Sequence, residues 1–243
     1  LKKDCSFNKD FLKLYKVFCP GPITFILDLK KNSKISRVVT NKKNTLAVRF
    51  PKHPIARNLL KKIDFPLAAP SANLSGQISP STADHVIRSL GKNVEFVLDG
   101  GPCESGLEST IIDCTGRNAL LLRPGGITRE SAATALAEAG LDPRITNGKP
   151  LDDNKKPTAP GQLISHYAPH ATLRVAAEAW QRGEEMIGFG KIHGAGKLRL
   201  NLSPSGNLIE AAANLFSMLH AADATSTKRI AIAPIPNTGL GEA

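Results

Sequence analysis

No apolar run in this chain of 243 residues approaches the length that crosses a bilayer. The opening residues, LKKDCSFNKD, lack the pattern of a secretory signal. Cysteine is scarce. The four stand at 5, 19, 103 and 114, form no C-x-x-C pair and match no zinc spacing. They read as reduced thiols in a reducing compartment. These absences predict a soluble, cytoplasmic protein with no membrane partner. Negative charge is in deficit as well: 32 Lys and Arg stand against 21 Asp and Glu, a net charge of +11. That balance suits an anionic partner such as a nucleotide, RNA or lipid head groups. The lysine runs, such as Lys30-Lys31 and Lys42-Lys43, lack interleaved aromatics, so charge alone does not specify nucleic acid. There is no internal repeat and no low-complexity tract.

Several signatures that spacing can reveal are also missing. No Ser-His-Asp order or G-x-S-x-G elbow is present. His166 and His170 are four apart, but no Glu follows His166, so the metalloprotease pattern fails and no metal site is expected. GFGKIHGAGK breaks the P-loop: five residues separate Gly190 from Gly196, and Leu198 stands where Ser or Thr belongs. Gly188-x-Gly190-x-x-x-Gly194 is a weak dinucleotide match and reads as a strand end and turn.

What is present is enough apolar material for a sizeable core, 41% of residues, arranged in alternating periodicities. KDFLKLYKVF has Phe11, Leu14 and Phe18 at helical spacing and is stopped by Pro20-Gly21-Pro22. ITFILDL reads as a buried strand. TLAVRF alternates, with Leu46, Val48 and Phe50 on one face and Ala47 and Arg49 on the other. HPIARNLLKKI is a helix and FPLAA a short strand. SPSTADHVIRSL is a helix with Ser79 expected at the N-cap and Pro80 at the first helical position. VEFVL, STIID and ALLLR read as strands, and ITRESAATALAEAG as a helix capped by Thr128 and ended by Gly140. The polar stretch TNGKPLDDNKKPTAPG has linker composition. Beyond it, LRVA, MIGFG, LRLNL and RIAIAPI read as strands around the helix NLIEAAANLFSMLHAADA, a second and parallel α/β unit.

Polar clusters at strand ends are where α/β proteins build sites. Thr45 and Arg49 share TLAVRFP; a guanidinium in so apolar a strand wants a carboxylate or phosphate, unless it is an ordinary surface arginine. In AAPSANLSGQISPS, the donors Ser71, Asn73, Ser75 and Ser79 lead into a helix start, which together would cradle an anion. LDGGPCESGLESTIID pairs glycines, which allow close backbone approach, with Ser109 and Thr110. Arg123 closes an apolar strand ahead of the glycine turn in LLLRPGGI.

Taken in order, PGPITFIL, TLAVRFP, APSANLSGQISPST, LDGG, GLESTIID and LLRPGGI resemble YrdC-type proteins, and PGQLISHYAP followed by an α/β unit resembles the two-domain threonylcarbamoyl-AMP synthases. The resemblance implies an α/β fold: a YrdC-like twisted mixed sheet over residues 1–144, a linker with the HYAP motif over 145–170, and a smaller Rossmann-like domain over 171–243. It implies that Arg49, the backbone of Ala69 and Ser109 hold L-threonine, that Thr45, Ser71, Asn73, Ser79 and Arg123 hold ATP, and that Tyr167 folds over the nucleotide. Bicarbonate is the third substrate, Mg²⁺ accompanies ATP, and tRNA or the complex that transfers the threonylcarbamoyl group to it is the partner. The family places a Thr-Glu-Thr strand and a Lys-x-Arg motif ahead of the equivalent of residue 1 and continues past IPNTGLGEA, so the resemblance implies a chain shortened at both ends, with low activity of its own. A non-catalytic RNA-binding module is the rival reading. The carbamoyl-transferring relatives of hydrogenase maturation fit less well, because their zinc-finger cysteines are missing.

Overall fold

The computed structural model describes residues 1–147 and 167–243. They fall into two compact units that are not collinear with the chain. The first comprises Leu1–Ala69, the described part of Glu108–Gln162, and Glu242–Ala243; the second comprises Pro70–Leu107 and the described part of Leu163–Gly241. The stretch 70–107, expected within the first domain, therefore packs with the C-terminal half.

The first unit is built on a mixed five-stranded sheet. Its strands are β1 (Ile23–Asp28), β2 (Thr45–Arg49), β3 (Thr110–Asp113), β4 (Leu120–Arg123) and β5 (Thr146–Asn147), in the order β2-β1-β3-β4-β5. β1 runs antiparallel to β2 and parallel to β3, while β3 and β4 are antiparallel. Alternation drives one face inward: Ile23, Phe25 and Leu27 are fully buried. Helix α1 (Lys9–Phe18) covers that face, and Phe11 meets Phe25 edge to face at 5.0 Å. Asn8 caps the helix by accepting from the Phe11 amide, and its own amide donates to the Cys114 carbonyl at 2.7 Å, pinning the helix start to the end of β3. Buried Asp10 accepts from the Ala119 amide at 3.1 Å, and desolvation raises its pKa. Helix α2 spans Pro54–Lys61, and α4 (Arg129–Ala137) is capped by Thr128 as its sequence suggests, with Gly140 turning left-handed just beyond its end.

The second unit holds a parallel three-stranded sheet, β6 (Thr172–Arg174), β8 (Arg229–Ile232) and β7 (Glu185–Ile187) in that spatial order. Helix α5 (Leu208–Asp223), capped by Asn207, buries Phe216 and Leu219 against Ile187 and Ile230. Helix α3 (Ala83–Leu90) belongs to this unit too. No helix among the described residues is long and apolar enough to cross a membrane.

Four sequence expectations change. FPLAA and VEFVL pair with no strand; Phe65, Leu67, Phe96 and Leu98 are exposed, and an extended apolar run without a ladder partner stays irregular. LRLNL forms an isolated bridge, Gly188 to Asn201, instead of a strand. Helix α3 starts later than Ser79: Thr82 is the N-cap, accepting from the His85 amide. The Ser81 amide and hydroxyl turn to His85 Nδ1 instead, at 3.3 and 3.2 Å, which keeps Pro80 and Ser81 outside the helix.

Candidate active site

In the first unit the candidate residues form a row across the sheet. Thr45 and Arg49 lie on one face of β2, because side chains two and four apart share a face. Arg49 sits directly opposite Thr24 of β1, so the two side chains are cross-strand neighbours. Thr24 Oγ1 shares a 2.7 Å hydrogen bond with Ser109 Oγ, just ahead of β3. Arg123, at the end of β4, donates to the Ser109 carbonyl from Nε (3.1 Å) and Nη2 (2.8 Å) and reaches the Ser109 hydroxyl at 3.1 Å. Glu108 lies 3.7 Å from the same guanidinium.

The guanidinium at one end of this row is open and the one at the other end is engaged. Arg49 is exposed, and its side chain has no hydrogen bond or ion pair among the described residues. Ser109 is 4% exposed and held from both sides. The glycine turn after β4 completes the frame: a Cβ on Gly125 would stand 2.4 Å from the Glu108 carbonyl oxygen and 2.6 Å from the Thr110 nitrogen. Only glycine lets that turn lie against the start of β3. Thr110 Oγ1 locks it, donating to the Ile127 carbonyl at 2.6 Å and accepting from the Ile127 amide at 2.8 Å. Ala69 is exposed and lies outside any regular element.

The remaining candidates belong to the second unit. Ser71 is exposed. Asn73 folds its loop by donating to the carbonyls of Leu74 (3.0 Å) and Gln77 (2.9 Å), while its Oδ1 is buried without a hydrogen-bond partner. Ser79 is 3% exposed, and its carbonyl accepts from His220 Nε2 at 3.1 Å. It therefore does not present a helix start to an anion; that part of the expected cradle is absent because α3 begins after Thr82. His220 stacks on His85 with ring centroids 3.8 Å apart. Burial lowers both histidine pKa values, and the neighbouring imidazole and Arg88 lower that of His85 further. Tyr167 takes a left-handed backbone (φ 60°), and its ring lies 5.9 Å from that of Phe216. The next residue, Ala168, pairs with Gln77 and donates to the Gly76 carbonyl at 2.9 Å, so the linker's end is tied to the Ser-Asn loop. His166 lies outside the described residues, and His170 is held by Asp223, Nδ1 to Oδ2 at 2.8 Å.

The glycine-rich stretch has a packing explanation. A Cβ on Gly188 would stand 2.2 Å from the Ile192 carbonyl oxygen, one on Gly194 would stand 1.8 Å from that of Leu200, and one on Gly196 would stand 2.7 Å from Glu185 Oε2. Gly188 and Gly194 permit backbone to lie on backbone, and Gly196 leaves room for the Glu185 carboxylate. The second unit also carries an open cavity of about 1180 Å³, lined by residues between Trp180 and Arg229; none of the sequence-predicted site residues lines it. Among the described residues no three His, Cys, Asp or Glu side chains gather as a metal site.

Thr24, Glu108, His85 and His220 were not singled out from sequence. Alternation along ITFILDL does place Thr24 opposite the buried Ile23-Phe25 face. The histidine pair joins residues far apart in the chain and leaves no local trace.

Residues 1–125 match the Sua5, YciO and YrdC family, described as telomere recombination, and residues 127–243 match the family described as threonylcarbamoyl-AMP synthase, C-terminal domain. The threonylcarbamoyl-AMP synthase of Bacillus subtilis is 34% identical over 244 residues, covering 94% of this chain and 68% of the relative. That of Pyrococcus abyssi is 36% identical over 244 residues, covering 94% and 69%. The crystal structure of P. abyssi Sua5 complexed with L-threonine superposes with a TM-score of 0.81 at 31% identity, covering 97% of this chain and 72% of that one.

Proposed function

The chain belongs to the Sua5, YciO and YrdC family and carries the C-terminal domain of the threonylcarbamoyl-AMP synthases, and on that premise we infer that it forms L-threonylcarbamoyladenylate and pyrophosphate from L-threonine, bicarbonate and ATP. The observation that supports this most is the row Arg49, Thr24, Ser109 and Arg123, which ends in an exposed guanidinium without a partner among the described residues. An α-carboxylate is the natural partner for such a fork. Ser109 and the Ala69 backbone then serve the polar groups of threonine. Thr45 and Arg123 of the first unit are assigned to ATP, and for Ser71, Asn73 and Tyr167 of the second unit the same role is what the family resemblance implies. The buried, unpartnered Asn73 Oδ1 suits a donor on the nucleotide.

The chemistry is nucleotidyl transfer and needs no protein nucleophile. The threonine amine adds to carbon dioxide from bicarbonate, loses a proton and becomes a carbamate. A carbamate oxygen forms a bond to the α-phosphorus of ATP as the bond to the bridging oxygen breaks, and pyrophosphate leaves with the electron pair. The protein contributes position and cationic or hydrogen-bonding groups where charge develops. Mg²⁺ enters as part of the nucleotide substrate, bound by phosphate oxygens. The product holds the threonylcarbamoyl group in activated form for transfer to tRNA, a cytoplasmic task.

Pyrophosphate release with each substrate omitted in turn tests the reading, together with mass detection of the adenylate. Release that requires threonine and bicarbonate as well as ATP is expected. Release that is indifferent to threonine, alongside tight RNA binding, would favour the non-catalytic RNA module.

A further inference from the structure

The open cavity of the second unit is not absorbed by the reading above. It lies at the amino ends of two parallel strands: Gly183, Glu184 and Glu185 lead into β7, and Thr227, Lys228 and Arg229 lead into β8. Dinucleotides in open α/β sheets bind at the carboxyl ends, so this is not the usual nucleotide crevice of such a fold.

Its charge is one-sided. The two lining carboxylates are 3% and 5% exposed and are already satisfied. Glu184 accepts from Arg174 at 2.5 Å and from the Gln181 amide at 2.6 Å. Glu185 accepts from the amides of Lys197 (2.9 Å) and Leu198 (3.1 Å). By contrast Lys197, Arg199 and Lys228 are exposed, line the same cavity, and make no side-chain hydrogen bond or ion pair among the described residues. Cations gathered without counter-charge repel one another, and an anion relieves that repulsion. An aromatic platform adjoins them. Trp180 is 47% exposed, and its indole N–H donates to the Glu184 carbonyl at 2.9 Å, which holds the ring in place while leaving part of it open.

We propose that this groove binds a nucleoside phosphate, with the base stacked on Trp180 and the phosphate held by Lys197, Arg199 and Lys228. Stacking on a fixed aromatic beside a cationic groove is how proteins hold nucleotides without reading their sequence. A free nucleotide and a unit of single-stranded RNA share this chemistry, and the cavity's size and openness admit either. The site stands on its own residues; none of those assigned to threonine or ATP lines it.

Trp180 is the only tryptophan in the chain, so its fluorescence reports on this groove alone. The test titrates the intact chain with AMP, with a short single-stranded oligoadenylate and with inorganic tripolyphosphate. Saturable quenching by AMP or the oligonucleotide is expected, and tripolyphosphate should compete without quenching. A preference for the oligonucleotide of about tenfold or more would identify RNA as the source, with strong salt dependence; a preference for AMP would identify a free nucleotide. The Lys197→Ala/Lys228→Ala double variant should weaken binding about tenfold or more, while threonine-dependent pyrophosphate release stays as in the parent. Trp180→Leu should weaken the same labelled-oligonucleotide and labelled-AMP binding that the double variant reduces. Absence of saturable quenching by either ligand, or quenching that the double variant leaves unchanged, overturns the proposal. Binding retained in full by Trp180→Leu also overturns it, by reducing the groove to a phosphate site. Loss of pyrophosphate release with nucleotide quenching intact would count against the proposed synthase activity and leave this site standing.

Discussion

Arg123 holds Ser109 by both its carbonyl and its hydroxyl, from the neighbouring strand of an antiparallel pair. The guanidinium therefore sets the position of Ser109, the residue proposed for threonine, alongside its own proposed role at the nucleotide. Arg123→Lys keeps the charge but loses the fork. The variant should raise the threonine requirement by roughly 1.5–3 kcal/mol, the worth of a hydrogen bond to a charged group. Steady-state rates against threonine and against ATP separate the roles: an ATP requirement that rises alone would show that Arg123 serves only the nucleotide.

Arg49 gives the complementary case. Its side chain is exposed and unpartnered among the described residues, so Arg49→Lys should leave the melting temperature unchanged. Threonine use should nevertheless weaken by about 1–3 kcal/mol, through loss of the bidentate match to a carboxylate. An unchanged dependence of rate on threonine concentration would remove Arg49 from the site.

The stacked His85–His220 pair should make stability pH-dependent. Both folded-state pKa values lie below the ordinary 6.5, chiefly through burial. The unfolded chain then binds protons that the folded chain refuses. The contribution is complete above about pH 6.5 and is lost as the pH falls through the lowered folded values. Thermal unfolding between about pH 5 and 7 should show stability rising with pH. A His85→Gln/His220→Gln variant should flatten that slope; the same slope in the variant would assign it to other groups.

Gly125 should tolerate no side chain. A Cβ there meets backbone atoms of Glu108, Ser109 and Thr110, none of which can rotate away. Gly125→Ala should cost about 1–3 kcal/mol of stability, as overpacking does, and should also lower synthase turnover by displacing Ser109. Denaturant unfolding and pyrophosphate release, measured on the same preparation, check both. A stable variant with full activity would mean that the turn has room to shift.

The elements legible in the sequence were those whose signal is local. Phe11 and Leu14 at helical spacing place α1 over the very residues it occupies, and TLAVRF shows its alternation as β2. FPLAA and VEFVL carry the same apolar signal, yet a strand is defined by a neighbour that the segment itself does not contain. The shift of the α3 cap from Ser79 to Thr82 has the same origin, since Ser81 takes up with His85 instead. The site divides likewise. Arg49, Ser109 and Arg123 were legible as polar residues at strand ends, whereas the Thr24 bridge between two of them depends on sheet register.

The chain leaves the first unit after Ala69 and returns to it at Glu108. The excursion carries the Ser-Asn loop and α3, whose supports are Ala168 and His220. During synthesis from the amino terminus, the loop emerges long before the residues that brace it, so the second unit cannot close until its own helix α5 has been made. For the same reason a cut between residues 125 and 127, where the two family matches meet, would not yield two self-sufficient pieces. It would strand a candidate nucleotide loop on one fragment and leave its scaffold on the other.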